Sequence, residues 1–146
     1  MKRLLLLIAM MALSLSSYSE NKAINASQLP AKSLEFVHKW FPDAEIVKAK
    51  MEKRASLSQY EIKLDNGSKL QFDTHGSCTE VDCINKEVPA GIVPSRISEY
   101  VKSSYPDAII VKIEHDTKLY EVDLDNGYEL TFNASFRLVD IDTDVD

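Results

Sequence analysis

The chain has 146 residues, of which 27% are charged, and a formal net charge of −6 at pH 7. An acidic chain of this kind argues against nucleic acid and anionic lipid as partners, because both are polyanions. The length suits one compact domain with its own core.

The segment from Met1 to Ser19 has the layout of a secretory signal peptide. Lys2 and Arg3 precede an unbroken apolar run from Leu4 to Leu13, and small residues, Ser17 and Ser19, stand three and one before the expected cut. The run is too short to span a bilayer stably, which disfavours the alternative of a retained membrane anchor. Cleavage after Ser19 would leave a mature chain with a net charge of −8, since it removes two of the 17 basic residues and none of the 23 acidic ones. We expect a periplasmic or secreted protein.

An internal duplication follows. Phe41-Pro42-Asp43-Ala44 recurs as Tyr105-Pro106-Asp107-Ala108, and Leu64-Asp65-Asn66-Gly67 recurs as Leu124-Asp125-Asn126-Gly127. The first copy is longer between these two motifs, and its extra residues fall in the polar stretch 52–56, which we interpret as a longer hairpin loop. Because the register returns after one insertion, chance similarity is excluded.

We place the first repeat at residues 28–87 and the second at residues 88–146, in one compact domain. Residues 20–27 are expected to form a flexible N-terminal segment. Val88 to Ile92 links the two copies.

Each copy opens with a helix. Leu34, Val37 and Phe41 recur at helical spacing in the first copy. Ile97, Val101 and Tyr105 do the same in the second. The next proline, Pro42 or Pro106, ends each helix.

Strands with one solvent-exposed face follow each helix. The first strands are predicted at Ala44 to Met51 and Ala108 to His115, and the fourth strands at Cys78 to Ile84 and Leu138 to Asp144. Tyr60, Ile62 and Leu64 alternate with charged residues, which is the period of a strand.

The apolar residues on either side of Asp65-Asn66-Gly67 determine the length of this hairpin loop. A three-residue loop pairs Ile62 with Leu70 and Tyr60 with Phe72, which keeps the apolar residues on one face. Gly67 then takes the left-handed position. The second copy predicts the same pairing, Val122 with Leu130.

The predicted fold class is α+β. Two tandem α-β-β-β-β repeats form a continuous antiparallel sheet, with the helices on one face and the other face open to solvent.

Export would permit a disulfide between Cys78 and Cys83, but strand geometry opposes it. Five positions along one strand separate the two Cα atoms by about 16 Å, whereas a disulfide needs them within about 7 Å. We expect Cys83 in the core and Cys78 as a free thiol.

The ordered elements resemble the PepSY-like family. YPDA, YEVDLDNGYELTF and LVDID in the second copy, and FPDA, YEIKLDNGSKLQF and EVDC in the first, carry the resemblance from Leu29 to Asp144. The family is described as β-lactamase-inhibitor-like, and its members are periplasmic. The resemblance implies a fold similar to β-lactamase inhibitor protein, with a concave sheet, and a non-enzymatic binding or inhibitory role. The second copy departs from the family pattern where Phe136 replaces Gly76 in the last turn.

No catalytic constellation stands out in the sequence. His38, His75 and His115 lack zinc-ligand spacing, and there is no nucleophile elbow or glycine-rich phosphate loop. An enzyme of unknown class is therefore the last of the hypotheses, and no cofactor is expected apart from calcium.

Alternating aspartates near the C-terminus offer a calcium site. Asp140, Asp142 and Asp144 project to one face if the last strand persists, and Asp146 continues the pattern. Oxygen-rich clusters can hold Ca²⁺. The competing interpretation is a solvated acidic edge that prevents strands of different molecules from pairing.

The open sheet face is the leading candidate for partner binding. A broad charged surface of this kind suits an exported protein or an extended peptide. The alternative is ordinary solvent exposure. The candidate residues are Glu61, Lys63, Lys69, Gln71, Glu121, Asp123, Glu129 and Thr131.

Overall fold

The computed structural model describes residues 20–55 and 57–143. The predicted signal peptide with its cleavage site, and the C-terminal Asp144 and Asp146, lie outside these residues. Over the described chain there are two α-helices and nine strands, and the order of the strands in the antiparallel sheet follows the chain. The α+β repeat prediction is confirmed.

The elements recur in the same order in both repeats, apart from an additional first strand. Neither α-helix is long and apolar enough to cross a membrane. The α-helices are α1 (Ala31–Trp40) and α2 (Ser95–Ser104), and 3₁₀ turns cover Ala26–Gln28 and Ala90–Ile92. The strands are β1 (Glu20–Ala23), β2 (Ile46–Arg54), β3 (Leu57–Leu64), β4 (Lys69–Phe72), β5 (Cys78–Asp82), β6 (Ile110–His115), β7 (Leu119–Leu124), β8 (Tyr128–Asn133) and β9 (Leu138–Thr143).

The described residues form two compact units, 20–81 and 82–143. We predicted a single compact domain with the repeat boundary at residue 88. The two units divide before that residue, and the segment after β5 bonds to β6. The Cys83 N–H donates to the Val111 carbonyl at 2.9 Å, and the Val88 N–H donates to the Ile110 carbonyl at 2.8 Å. The single compact domain stays a prediction.

Each helix begins directly after one proline and ends two residues before the next proline. Pro30 and Pro94 occupy the N-cap positions, where their fixed φ suits helix entry and no intrahelical donor is lost. The helices end where the N–H groups of Phe41 and Tyr105 donate to the carbonyls four residues earlier, and Pro42 and Pro106 follow.

Matched aromatic pairs join helix to sheet in both units. Phe36 of α1 meets Phe72 of β4 edge to face, with ring centroids 5.9 Å apart. Tyr100 of α2 meets Phe132 of β8 in the same way at 5.6 Å. Both sheet residues are almost fully buried, at 1% and 0% exposed. The helix stripes therefore pack on the same sheet face in each repeat.

The three-residue hairpin loops are confirmed. Ile62 pairs with Leu70 and Tyr60 with Phe72, and Val122 pairs with Leu130 in the second unit. Gly67 has a φ of 91°, the left-handed conformation that glycine adopts without steric cost.

The insertion in the first copy lengthens two strands and does not form a long loop. β2 continues to Arg54 and β3 begins at Leu57, with Glu52 opposite Gln59 and Lys53 opposite Ser58. The prediction of a long loop was wrong because an exposed strand pair and a loop share the same polar composition.

Residues 20–27, predicted as a flexible segment, contain a strand and the beginning of a 3₁₀ turn. Glu20–Ala23 form β1 and pair antiparallel with residues 50–53 of β2. Pairing at a sheet edge uses the backbone, so it leaves little trace in the side-chain pattern.

The last turn has the same geometry in both units despite the exchange of glycine for phenylalanine. Gly76 has a φ of 85° and Phe136 a φ of 64°. The Asp73 Oδ1 accepts from the His75 and Ser77 N–H groups, and the Asn133 Oδ1 does the same one repeat later, for Ser135 and Arg137.

Candidate functional site

The first sheet face lies opposite α1 and carries a row of three lysines. Lys48 of β2 lies opposite Lys63 of β3, which in turn lies opposite Lys69 of β4. All three side chains are exposed. Directly opposed residues share a sheet face, and like charges there repel one another. Backbone register therefore holds a concentrated positive charge on this face.

The neighbouring row of the first sheet face is close to neutral. Lys50 of β2, Glu61 of β3 and Gln71 of β4 lie opposite one another. The Lys50 Nζ stands 3.6 Å from the Glu61 Oε1 with both side chains well exposed, and exposed pairs contribute little to stability. These residues line a depression of only about 40 Å³, so the face is a surface and not a substrate pocket.

The second sheet face lies opposite α2 and is acidic. One row contains Lys112 of β6, Asp123 of β7, Glu129 of β8 and Asp142 of β9, each opposite the next.

The other row repeats this pattern. Glu114, Glu121, Thr131 and Asp140 lie opposite one another across the same four strands. Across the three strands that are matched in both units, the second sheet face thus holds four carboxylates and one ammonium group, where the first sheet face holds four lysines and one glutamate.

A carboxylate triad lies at the centre of the second sheet face. Glu121, Asp123 and Glu129 each place a carboxylate oxygen within 4.8 Å of the other two. The triad arises because the hairpin register sets Asp123 opposite Glu129, while Glu121 is two residues away on the same strand face. Three carboxylates at this separation favour a bound cation, because a cation offsets their mutual repulsion.

The expectation of an open face fails in part for the second unit. Glu121, Glu129 and Thr131 are only 2%, 3% and 3% exposed. The alternation of side chains assigns a residue to a face, but it does not reveal whether that face is covered. The exposed part of the predicted partner surface therefore lies on the first sheet face.

The last strand persists as far as Thr143, and the described C-terminal aspartates lie on one sheet face as the alternation predicts. These residues, Asp140 and Asp142, lie opposite Thr131 and Glu129 and outside the triad. Asp144 lies beyond the described residues. The triad could have been predicted from the sequence, because the predicted Val122–Leu130 pair already sets Asp123 opposite Glu129. Its members were assigned to partner binding.

Cys78 behaves as an apolar residue. It is half-buried and Cys83 is buried, and no disulfide joins them. Burial, with a smaller effect of the nearby Glu80 carboxylate, raises the pKa of the Cys78 thiol from 9.0 to about 12. The thiolate that nucleophilic chemistry requires is therefore scarce at neutral pH.

Comparison with known proteins agrees with this architecture. The family described as "Putative beta-lactamase-inhibitor-like, PepSY-like" matches residues 17–78 and 58–140. No curated protein matches the chain.

Three solved structures resemble the chain over most of its length. A periplasmic protein of the DUF2874 family from Bacteroides vulgatus is 42% identical, with a TM-score of 0.82, and the match covers 85% of this chain and 98% of that protein. A "putative calcium-regulated periplasmic protein" from Bacteroides thetaiotaomicron is 42% identical, with a TM-score of 0.81 and coverage of 84% and 97%. A second Bacteroides vulgatus periplasmic protein, of unknown function, is 32% identical, with a TM-score of 0.79 and coverage of 86% and 99%. The repeats, the matched residues and these structures together show that the chain belongs to the PepSY-like, β-lactamase-inhibitor-like family.

Proposed function

We propose that this protein is a non-enzymatic periplasmic protein that binds Ca²⁺ through the carboxylate triad of its second sheet face. The observation that carries the proposal is the triad itself, Glu121, Asp123 and Glu129, with oxygens within 4.8 Å of one another. Ca²⁺ prefers six to eight oxygen ligands and accepts carboxylates in either one- or two-oxygen binding. The triad would supply part of that set, and water would supply the rest.

The relatives support both the location and the ion. The proteins from Bacteroides vulgatus and Bacteroides thetaiotaomicron are described as periplasmic, and the latter as calcium-regulated, at 42% identity to this chain. The predicted signal peptide supports the same location. Lys112, opposite Asp123, would compete with the ion by supplying a positive charge of its own.

Isothermal titration calorimetry of chelator-treated protein with CaCl₂ tests the ion. Asp123→Asn and Glu129→Gln should each reduce the binding heat strongly, because each removes a charged ligand. Glu99→Gln on the exposed side of α2 is the matched control and should leave the heat unchanged. Absence of heat from the wild-type protein would refute calcium binding.

A second set of variants separates the triad from the C-terminal aspartates. Asp140→Asn and Asp142→Asn each remove one charge from the same face but leave the triad intact. If these variants abolish the heat while Asp123→Asn does not, the ion lies at the strand end that the sequence first indicated.

Partner binding on the first sheet face is the second candidate function. Three exposed lysines that oppose one another in register are the observation that favours it, because an acidic partner would offset their repulsion. The partner would be an exported protein or peptide with an acidic surface. An inhibitory role, as the family description suggests, would follow if that partner were an enzyme.

Affinity capture from periplasmic extract, with and without calcium, tests this second function. The double variant Lys63→Glu, Lys69→Glu should lose the captured partner, whereas Lys63→Arg, Lys69→Arg keeps the charge and should retain it. Adding Glu121→Lys to this charge reversal tests whether the second sheet face also contributes to binding of the partner. Capture that survives both the reversal and high salt would exclude an electrostatic partner site here.

A further inference from the structure

An apolar groove in the first unit lies between α1 and the beginning of β2. Its volume is about 510 Å³, within the range of about 300–1,000 Å³ typical of ligand sites. Its lining is mostly apolar and comes from α1, the turn after it and the 3₁₀ turn. The principal lining residues are Ala26, Leu34, Val37, Phe41, Ala44 and Ile46.

The strand edge beside this groove is open among the described residues. β1 pairs with residues 50–53 of β2, and the Ile24 N–H donates to the Ala49 carbonyl at 3.0 Å. No described strand continues this edge over Ile46–Lys48. Val47 is accordingly 59% exposed, although an aliphatic residue of this size is usually buried.

The corresponding place in the second unit is filled. Ile110 and Val111, the counterparts of Ile46 and Val47, are only 7% and 9% exposed. Their carbonyls accept hydrogen bonds from Val88 and Cys83, as described above. Val88 is itself 1% exposed. Cys83 and Val88 thus lie along the edge of β6 with a turn at residues 84–86 between them, and the β-branched side chain of Val88 is buried.

The two units differ here because of one segment. The 3₁₀ turn Ala26–Gln28 corresponds to Ala90–Ile92, so Ile24 corresponds to Val88. In the second unit Cys83 and Val88 both bond to β6, and a turn at residues 84–86 joins them. In the first unit β1 ends directly at Ile24, which bonds farther along β2, so the equivalent edge and groove are left uncovered.

We infer that the groove and the Ile46–Lys48 edge bind an extended peptide segment of a partner protein, which adds as a strand and places one aliphatic side chain in the groove. The chemistry of this occupant follows from the second unit, where backbone hydrogen bonds and a buried valine fill the same place. Strand addition provides affinity through the main chain, and the groove provides selectivity for the side chain. The groove lies on the helix side of the sheet, away from the proposed calcium site, and its edge shares only Lys48 with the lysine row.

A peptide copied from this chain is the natural probe. A capped synthetic peptide of residues 84–93 contains Val88 in its own sequence context. Titrated into isotope-labelled protein, it should shift the amide resonances of residues 46–48 and the methyl resonances of Leu34 and Val37. The same peptide with Val88→Asp should cause no such shifts, because a charged side chain would have to be desolvated in the groove.

Two matched protein variants locate the site. Val47→Lys places a charge on the open edge, a device that blocks strand addition, and should weaken binding of the peptide roughly tenfold or more. Leu57→Lys makes the same chemical change at a residue that is 62% exposed on β3 and outside the groove, and it should leave binding unchanged. An unaltered amide spectrum away from the substitution confirms that each variant folds.

Three outcomes would overturn the inference. They are no binding at millimolar peptide, equal effects of Val47→Lys and Leu57→Lys, or equal binding of the Val88→Asp peptide. A dimer that forms without peptide and dissociates in Val47→Lys would overturn it as well, because a second copy of the chain would then be the occupant.

Discussion

The two units share a framework and differ in the charge that the framework displays. The Asp-Asn-Gly hairpin loops, the last turns and the helix–sheet aromatic pairs match one for one. On the sheet face away from the helix, however, Lys50, Lys63 and Lys69 of the first unit stand where the second unit has Glu114, Asp123 and Glu129. Residues that pack against the helix are apolar in both units, while these three residues of the other face differ in sign between the units. Lys48 and Glu61 keep the charge of their counterparts, Lys112 and Glu121. This divergence argues that the two faces have different ligands.

The largest expected effect comes from building the carboxylate triad in the first unit, which would remove the difference in charge between the two sheet faces at that place. The double variant Lys63→Asp, Lys69→Glu reproduces the triad around Glu61 at the matched strand positions. If backbone register is sufficient to build the site, calorimetry should find calcium stoichiometry rising from about one to about two equivalents.

The matched control for this transfer is Lys63→Gln, Lys69→Gln, which removes the same lysines without adding ligands. No second equivalent should appear in it. An unchanged stoichiometry in the double acidic variant would mean that register alone does not form the site.

The shared core should respond equally in both units. Leu70 and Leu130 occupy matched positions and are both 0% exposed. Leu70→Ala and Leu130→Ala should each lower the free energy of unfolding by about 3 kcal/mol, through lost burial and the cavity left behind. Urea unfolding measures the loss. Leu57→Ala, at an exposed position, should change it by less than about 0.5 kcal/mol.

The last turn of the first unit should tolerate substitution of Gly76 poorly, although Phe136 occupies the same place in the second unit. A Cβ on Gly76 would lie 2.7 Å from the Pro30 Cβ, whereas a Cβ on Gly67 would meet nothing within 4 Å. Both glycines have positive φ, so Gly67→Ala should cost about 1 kcal/mol of unfolding free energy from backbone strain alone. Gly76→Ala adds the steric overlap and should cost about 2 kcal/mol or more. Equal losses in urea unfolding would contradict this account.

The smallest expected effect concerns Cys78, whose counterpart in the second unit is Leu138. Because the pKa of the thiol is raised from 9.0 to about 12, the folded state retains the proton more strongly than the unfolded state. The resulting stabilisation is complete below pH 9 and is lost as pH rises towards 12. Between pH 8 and pH 10 the wild-type protein should lose about 1 kcal/mol more than Cys78→Ala.

Paired urea titrations of wild type and Cys78→Ala measure this difference and cancel the titration of lysines and tyrosines common to both. Identical pH dependence would show that the thiol is solvated in the folded state.

Some features of this protein follow from its sequence because they depend on local periodicity. The helix stripes, the alternating strands and the Asp-Asn-Gly spacing each leave a short-range signal, and together they specify the pairing of Ile62 with Leu70 in the hairpin. Other features depend on the backbone at an edge. The pairing of Glu20–Ala23 with β2 and the extension of the first hairpin through Arg54 use main-chain hydrogen bonds that side-chain patterns do not record.

The candidate sites, too, depend partly on local sequence and partly on the approach of distant segments. By itself, the sequence determined the repeat, the fold class and the sheet face of each charged residue, because a strand alternates its side chains with period two. Only the tertiary structure decided which carboxylates meet and which strand edge is covered, because both depend on how separate segments of the chain approach one another. The triad of Glu121, Asp123 and Glu129 needs two strands in register, and the groove beside Val47 exists only because no described segment takes the place that Val88 fills in the second unit.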